Sequence, residues 1–315
     1  MRVEDILTAE ELVSLKLRSL YSQNGYAQYK MSKFEEYDLY AANKDFLESE
    51  RIITFTDTTG KLMALKPDVT LSIIKNTELK TGEIKKVYYN ENVYRVPKNS
   101  PAFKEITQTG LECIGDISQS SVAEVIRLAV LSLAEISENS VLDISHFGLI
   151  DETLKTASLS GQAFKQTLKA LYEKNAYEIG NICASDGVSA KDCERISALA
   201  KVYGSPKDVL PELKNIFGEN ESVKELEVLV KALEMSCDTK NINIDFSVPG
   251  NIKYYNGIVF KGYIKGIPNY VLSGGQYDKL MERLKKNVKA IGFAVYLDAI
   301  ELLERAAGGE DLWKC

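Results

Sequence analysis

A chain of 315 residues that is 45% hydrophobic and 27% charged has room for one large domain or two modest ones around a sizeable core. Its net charge of -6 argues against broad nucleic-acid binding, which depends on clustered Lys and Arg. No apolar run approaches the ~20 residues that cross a bilayer, and Met1 to Thr8 lacks the order of a signal peptide, so a cytoplasmic protein with no membrane or nucleic-acid partner is expected. The five cysteines (Cys113, Cys183, Cys193, Cys237, Cys315) are scattered without a CxxC pair, so neither a disulfide scaffold nor a cysteine-held metal is expected.

Thr8 and Glu11 have capping-box spacing, and Leu12, Leu15, Leu17 and Leu20 give an apolar stripe that Gly25 ends, predicting an N-terminal helix. Ile52 to Phe55, the turn Asp57-Thr58-Thr59-Gly60 and Leu62 to Leu65 predict a hairpin. Pro67 stops its second strand, and a short helix suits Val69 to Ile74. Strands are expected over Val87–Arg95 and Phe103–Ile114, joined by a loop holding Pro97 and Pro101. Ser120 or Ser121 then caps a helix whose stripe of Val122, Val125, Ile126, Ala129, Val130 and Leu133 faces a core.

The only histidine, His146, closes the alternating stretch Asp143-Ile144-Ser145-His146-Phe147 and reads as an ordinary hydrogen-bonded residue at a strand end. A Ser-His-Asp or Cys-His machine would have to run through it. No GxSxG, Walker loop or GxGxxG accompanies it.

Residues 150–237 carry helical patterning with breaks at Ser185-Asp186-Gly187, Tyr203 to Pro206 and Gly218-Glu219-Asn220, and read as a helical insertion between 1–149 and 238–315. Strands return at Ile242–Phe246, Tyr254–Ile264 and Asn269–Ser273. Gly274-Gly275 then precede a helix from Gln276 to Leu284, a strand from Ala290 to Leu297 and a closing helix to Ala307. Lys285, Lys286 and Lys289 read as a solvated basic face. Hairpin-linked strands with helices grouped between them predict an α+β fold around an antiparallel sheet flanked by helices.

Four segments, in order, resemble the catalytic domain of the class II aminoacyl-tRNA synthetases, of the histidyl type. Phe55-Thr56-Asp57 through Leu65-Lys66-Pro67-Asp68-Val69-Thr70 is similar to the family's strand and its "L-R-P-E/D-x-T" turn. Val93-Tyr94-Arg95 with Phe103 to Glu112 resembles the motif 2 arginine and the return strand. Ile252 to Gly257 is similar to the histidine-specific "R-G-L-D-Y-Y" segment. Gly274-Gly275-Gln276-Tyr277-Asp278 and Ala290 to Val295 resemble "G-G-R-Y-D" and the motif 3 strand.

The resemblance implies an amino-acid pocket. Asp68, Gln108 and Glu112 stand where the family reads the amino group and side chain; a buried ammonium needs a carboxylate partner. Thr70, Tyr254 and Tyr255 would bond and flank an imidazole, and Tyr277 would close a wall. Arg95 would grip a carboxylate or an α-phosphate with its planar fork. Gln108 and Glu112, four apart on a strand, face the same side. From the residues alone, without the resemblance, the readings are a solvated sheet face, packing tyrosines and a surface arginine.

The departures bear on activity. Ala299 stands where motif 3 ends in an arginine. Gly250 replaces a second arginine, and Lys253 replaces an acid. Each lost transition-state donor costs on the order of 3–4 kcal/mol, so adenylate formation, catalytic residues and a cofactor are not expected. Only Glu301 to Cys315 follow motif 3, short of an anticodon-binding domain. One branch of the family fits: the regulatory subunit of a short-form ATP phosphoribosyltransferase, with histidine as effector and a homodimer inside a hetero-oligomer. The alternatives are a truncated amino-acid-activating enzyme and an RNA- or protein-binding module.

Overall fold

In the computed structural model, which describes residues 6–47, 51–80, 82–96, 102–249 and 255–300, Thr8 opens helix α1 (Ala9–Gln23). Its hydroxyl accepts the Glu11 N–H, and the Glu11 carboxylate accepts the Thr8 N–H in return. The helix buries Ala9, Val13, Leu17 and Tyr21, an i, i+4 line, whereas Leu15 is 49% exposed. Of the expected stripe of leucines, Leu17 is buried and Leu20 packs half-buried against the core, whereas Leu12 and Leu15 lie off the buried line.

Nine strands form the main sheet in the order β1 (Ala27–Gln28), β5 (Ile84–Arg95), β6 (Lys104–Gly115), β12 (Lys289–Tyr296), β11 (Leu272–Gln276), β10 (Ile258–Ile264), β7 (Ser140–His146), β9 (Ile242–Asp245) and β8 (Tyr203–Gly204). The run from β5 to β7 is antiparallel throughout, as expected. Toward the edges β1 pairs with β5 and β9 with β7 in parallel. Strand β9 can run parallel to β7 because the long helical stretch between them supplies the crossover. A second sheet joins β2 (Phe34–Glu36), β4 (Leu62–Leu65) and β3 (Thr54–Thr56), the last two being the expected hairpin. Short helix α2 (Tyr37–Ala41) follows β2, and helix α3 (Thr70–Lys75) follows the hairpin.

Alternation along the strands gives the main sheet two different faces. Leu111, Cys113, Ile291, Phe293 and Val295 bury themselves against α1 and α4 (Gln119–Ile136). Helix α4 is opened by Ser118, two residues before the earlier of the two expected caps, and buries the expected stripe apart from the half-buried Val130. Gln108, Gly110 and Glu112 point the other way, toward α3 and the small sheet.

Helices α5 (Phe147–Thr156), α6 (Gly161–Tyr172), α7 (Ala176–Ser185), α8 (Ala190–Lys201), α9 (Pro206–Phe217) and α10 (Glu221–Glu234) fill the helical region. Ser160, Asn175, Ser189, Ser205 and Asn220 each cap the following helix with a side-chain oxygen. Leu149, Leu171, Ile196, Leu213 and Leu226 share one continuous core with Leu142, Ile144 and Ile242 of the sheet.

Several expectations need correction near the C-terminus. Strand β11 runs through Gly274-Gly275 to Gln276, and α11 (Asp278–Arg283) starts later than Gln276. The glycines are strand residues because neighbours approach too closely for a side chain: a Cβ on Gly275 would lie 2.9 Å from the Tyr255 ring. Lys286 is no solvated cation, since its ammonium donates to the carbonyls of Ile74 and Thr77 at the end of α3. The expected strand to Leu297 ends one residue early at a short 3-10 turn, Leu297–Ala299, and the helix to Ala307 falls largely outside the described residues.

Candidate functional site

The site grows from the turn that ends β4. Pro67 breaks the strand, and the Asp68 carboxylate accepts the Leu71 N–H at 2.8 Å, tying it to the first turn of α3. Its other oxygen faces the Arg95 guanidinium at 3.9 Å. Arg95 is buried, with Nε donating to the Pro67 carbonyl at 2.7 Å, so it is a structured part of the turn and no surface arginine.

Thr70 opens α3 and donates its hydroxyl to Glu112 Oε1 at 2.7 Å. From the other side the Tyr277 hydroxyl donates to Glu112 Oε2 at 2.5 Å. Glu112 is 2% exposed and lies over Gly292, its cross-strand partner on β12. Burial pushes its carboxyl up to about 8; the two hydroxyls act against the shift, and the nearby Asp68 charge adds to it. Tyr277 is held well above its ordinary range by burial and then by Glu112 itself.

Gln108 shares this face and is equally buried, yet its Nε2 has no hydrogen-bond partner. A buried donor left unmade costs about 1–3 kcal/mol. Gln108 and Glu112 are therefore buried, and this is no solvated sheet face. Tyr255 is half-buried with its ring against Gly275. The segment after it is latched to α11 and to β11: the Asn256 amide donates to Asp278 at 2.9 Å, and the Ile258 N–H donates to Gln276 Oε1 at 2.8 Å. The structure thus brings together Thr70, Glu112 and Tyr277 by direct bonds, with Asp68 and Arg95 at one side and Gln108 and Tyr255 on the same sheet face. Tyr254, with Gly250 and Lys253, lies outside the described residues.

Three features were missed in the sequence. Tyr89 is fully buried with its hydroxyl close over Gly110, between Gln108 and Glu112. Lys66 is fully buried and ion-paired with Glu91, whose Cα partner on β6 is Gln108. Gly292 is the third, since its lack of a side chain makes room for the Glu112 carboxylate. Lys66 stands inside the quoted turn motif, so its signal was present; the other two depend on register. His146 is the hydrogen-bonded residue expected at a strand end.

A family model described as histidyl-tRNA synthetase matches residues 4–300. A relative from Caldanaerobacter subterraneus, named ATP phosphoribosyltransferase regulatory subunit, is 30% identical over 94% of this chain and 79% of its own length. The chain belongs to this regulatory-subunit family, within the histidyl-tRNA synthetase fold. Another regulatory subunit, from Clostridium novyi, is 29% identical over 91% of this chain and 70% of the relative. Among solved structures, one described as an ATP phosphoribosyltransferase regulatory subunit/histidyl-tRNA synthetase from Bacillus halodurans has a TM-score of 0.80 at 25% identity, covering 93% of this chain and 79% of that one. A chain of the ATP phosphoribosyl transferase complex from Thermotoga maritima shares the fold at a TM-score of 0.73 and 19% identity, covering 92% of this chain and 98% of that one.

For a regulatory-subunit family member the surroundings of Ala299 are informative. It sits buried in the short turn after β12, part of the core beneath α1. Among the described residues, no group of three or more His, Cys, Asp or Glu is placed to hold a metal ion. None of the described helices is long and apolar enough to cross a membrane.

Proposed function

We propose that the chain is a non-catalytic, cytoplasmic, histidine-binding regulatory subunit of a short-form ATP phosphoribosyltransferase, acting as a homodimer within a hetero-oligomer. The observation that carries it is the buried Glu112 carboxylate, held between the Thr70 and Tyr277 hydroxyls on a glycine floor. On binding, Glu112 would release the proton that burial holds on it and accept an imidazole N–H, and Asp68 supplies the partner that an ammonium needs. Arg95 and the unpartnered Gln108 amide suit the ligand carboxylate, while Tyr255 flanks the ring.

Family membership supports the regulatory half of the proposal. The lost arginines at Ala299 and Gly250 support its non-catalytic half, since charges preorganised around the phosphates drive such chemistry. In the same scheme, 1–149 and 238–315 form the ligand-binding core and 150–237 a helical insertion. Histidine would bias the subunit between states that support or restrain its partner, with a coupling of ~1–3 kcal/mol.

Calorimetry with histidine on the intact chain and on Glu112→Ala tests the pocket. Removing a hydrogen bond to a charged group costs about 1.5–3 kcal/mol, so affinity should fall roughly 10- to 150-fold. Unchanged affinity together with unchanged inhibition of the partner would overturn the assignment of histidine to this pocket.

A further inference from the structure

The single histidine of the chain joins the helical region to the wall of the pocket. His146 ends β7 and caps α5: its Nδ1 accepts the Leu149 N–H at 3.3 Å. An accepting Nδ1 places the ring proton on Nε2, which donates to Glu225 of α10 at 2.8 Å. The ring is almost completely buried, packed so closely against the backbone that a Cβ on Gly148 would lie 2.9 Å from its Cε1. Lys289, at the start of β12, adds to the lowering of the Glu225 carboxyl that His146 causes.

The next residue continues the path toward the site. The Phe147 N–H donates to the Gly257 carbonyl at 2.8 Å, and the Cα of Ile258 is paired across the ladder with that of His146. The Phe147 side chain packs with Val248 and Val259, and Tyr255 and Tyr172 of α6 lie against that cluster. Tyr255 in turn presses its ring on Gly275, beside Gly292 on the next strand. A continuous set of contacts therefore runs from Glu225 through His146 and Phe147 to Tyr255.

We propose that His146 is a positioning residue: braced by Glu225, it fixes the Gly257–Ile258 segment and so the Tyr255 wall of the amino-acid pocket, making the helical region a determinant of affinity there. The affinity part rests on the function proposed above, whereas the bracing part does not. The side chain of Glu225 is 42% exposed, so replacing it opens no core cavity.

The test combines hydrogen exchange and histidine calorimetry on the full chain, with thermal unfolding to establish that each variant folds. Glu225→Ala should speed amide exchange at Phe147 and Ile258 and weaken histidine binding roughly 2- to 30-fold, the range found for residues that couple to a site without touching its ligand. His146→Asn keeps an acceptor for the Leu149 N–H but cannot reach Glu225, and should behave alike. Glu225→Gln keeps an oxygen for Nε2 and should match the unaltered chain. Exchange at Phe147 and Ile258 that is the same in Glu225→Ala as in the unaltered chain would overturn the brace. Faster exchange with unchanged affinity would overturn its reach to the pocket, and Glu225→Gln behaving like Glu225→Ala would overturn the hydrogen bond as its basis. An unaltered chain that binds no histidine would defeat the proposed function, while the exchange measurement would still decide the brace.

Discussion

Glu112 on β6 and Gly292 on β12 face each other across the ladder so closely that a Cβ at residue 292 would overlap Glu112 Oε2. The carboxylate can lie flat between Thr70 and Tyr277 only because that position is a glycine. Gly292→Ala should therefore displace it, abolish measurable histidine binding and destabilise the chain by about 1–3 kcal/mol, the usual cost of overpacking. Calorimetry and denaturant unfolding on the same preparation check both outcomes.

The raised Glu112 carboxyl makes ligand-free stability depend on pH with a definite sign. Its value moves from 4.5 to about 8 on folding, so between those limits the folded chain keeps a proton that the unfolded chain has released. Stability from this group is present below the lower value and is lost as pH rises through the window, by at most about 1.4 kcal/mol per pH unit. Glu112→Gln cannot titrate. Denaturant midpoints from pH 5 to pH 8 should fall more steeply for the unaltered chain than for that variant, and parallel curves would contradict the burial of the charge.

Tyr277→Phe removes a hydroxyl that favours the ionised carboxylate. The Glu112 titration should then move above its present value of about 8. Infrared absorption of the protonated carboxyl, followed against pH with Glu112→Gln as the blank, reads this directly. A downward move would mean that the hydroxyl does not act on Glu112.

Local chemistry was legible where it is carried by neighbours in sequence. The Thr8–Glu11 box, the Asp57–Gly60 turn and the stop at Pro67 appear where their residues place them. The turn motif and the β5–β6 pair delivered Asp68, Thr70, Arg95, Gln108 and Glu112 to one region, because antiparallel neighbours keep a fixed register. Legibility failed where the answer depends on what lies opposite. Leucine and valine look alike in a stripe, so the pattern alone does not show that Val13 and Tyr21 complete the face that α1 turns to the core. Gly274 and Gly275 read as lying past the strand that ends at Ser273, because a glycine's reason for being in a strand is its neighbour, here Phe293 and the Tyr255 ring. The parallel pairing of β9 with β7 joins residues about a hundred positions apart, beyond any local pattern.

The most direct measurement mixes the chain with a short-form ATP phosphoribosyltransferase and follows its rate with and without histidine. The account predicts a complex, a faster rate, and inhibition by histidine that Glu112→Ala weakens. A partner whose rate and histidine response are the same in the presence of this chain, with no complex formed, would contradict it.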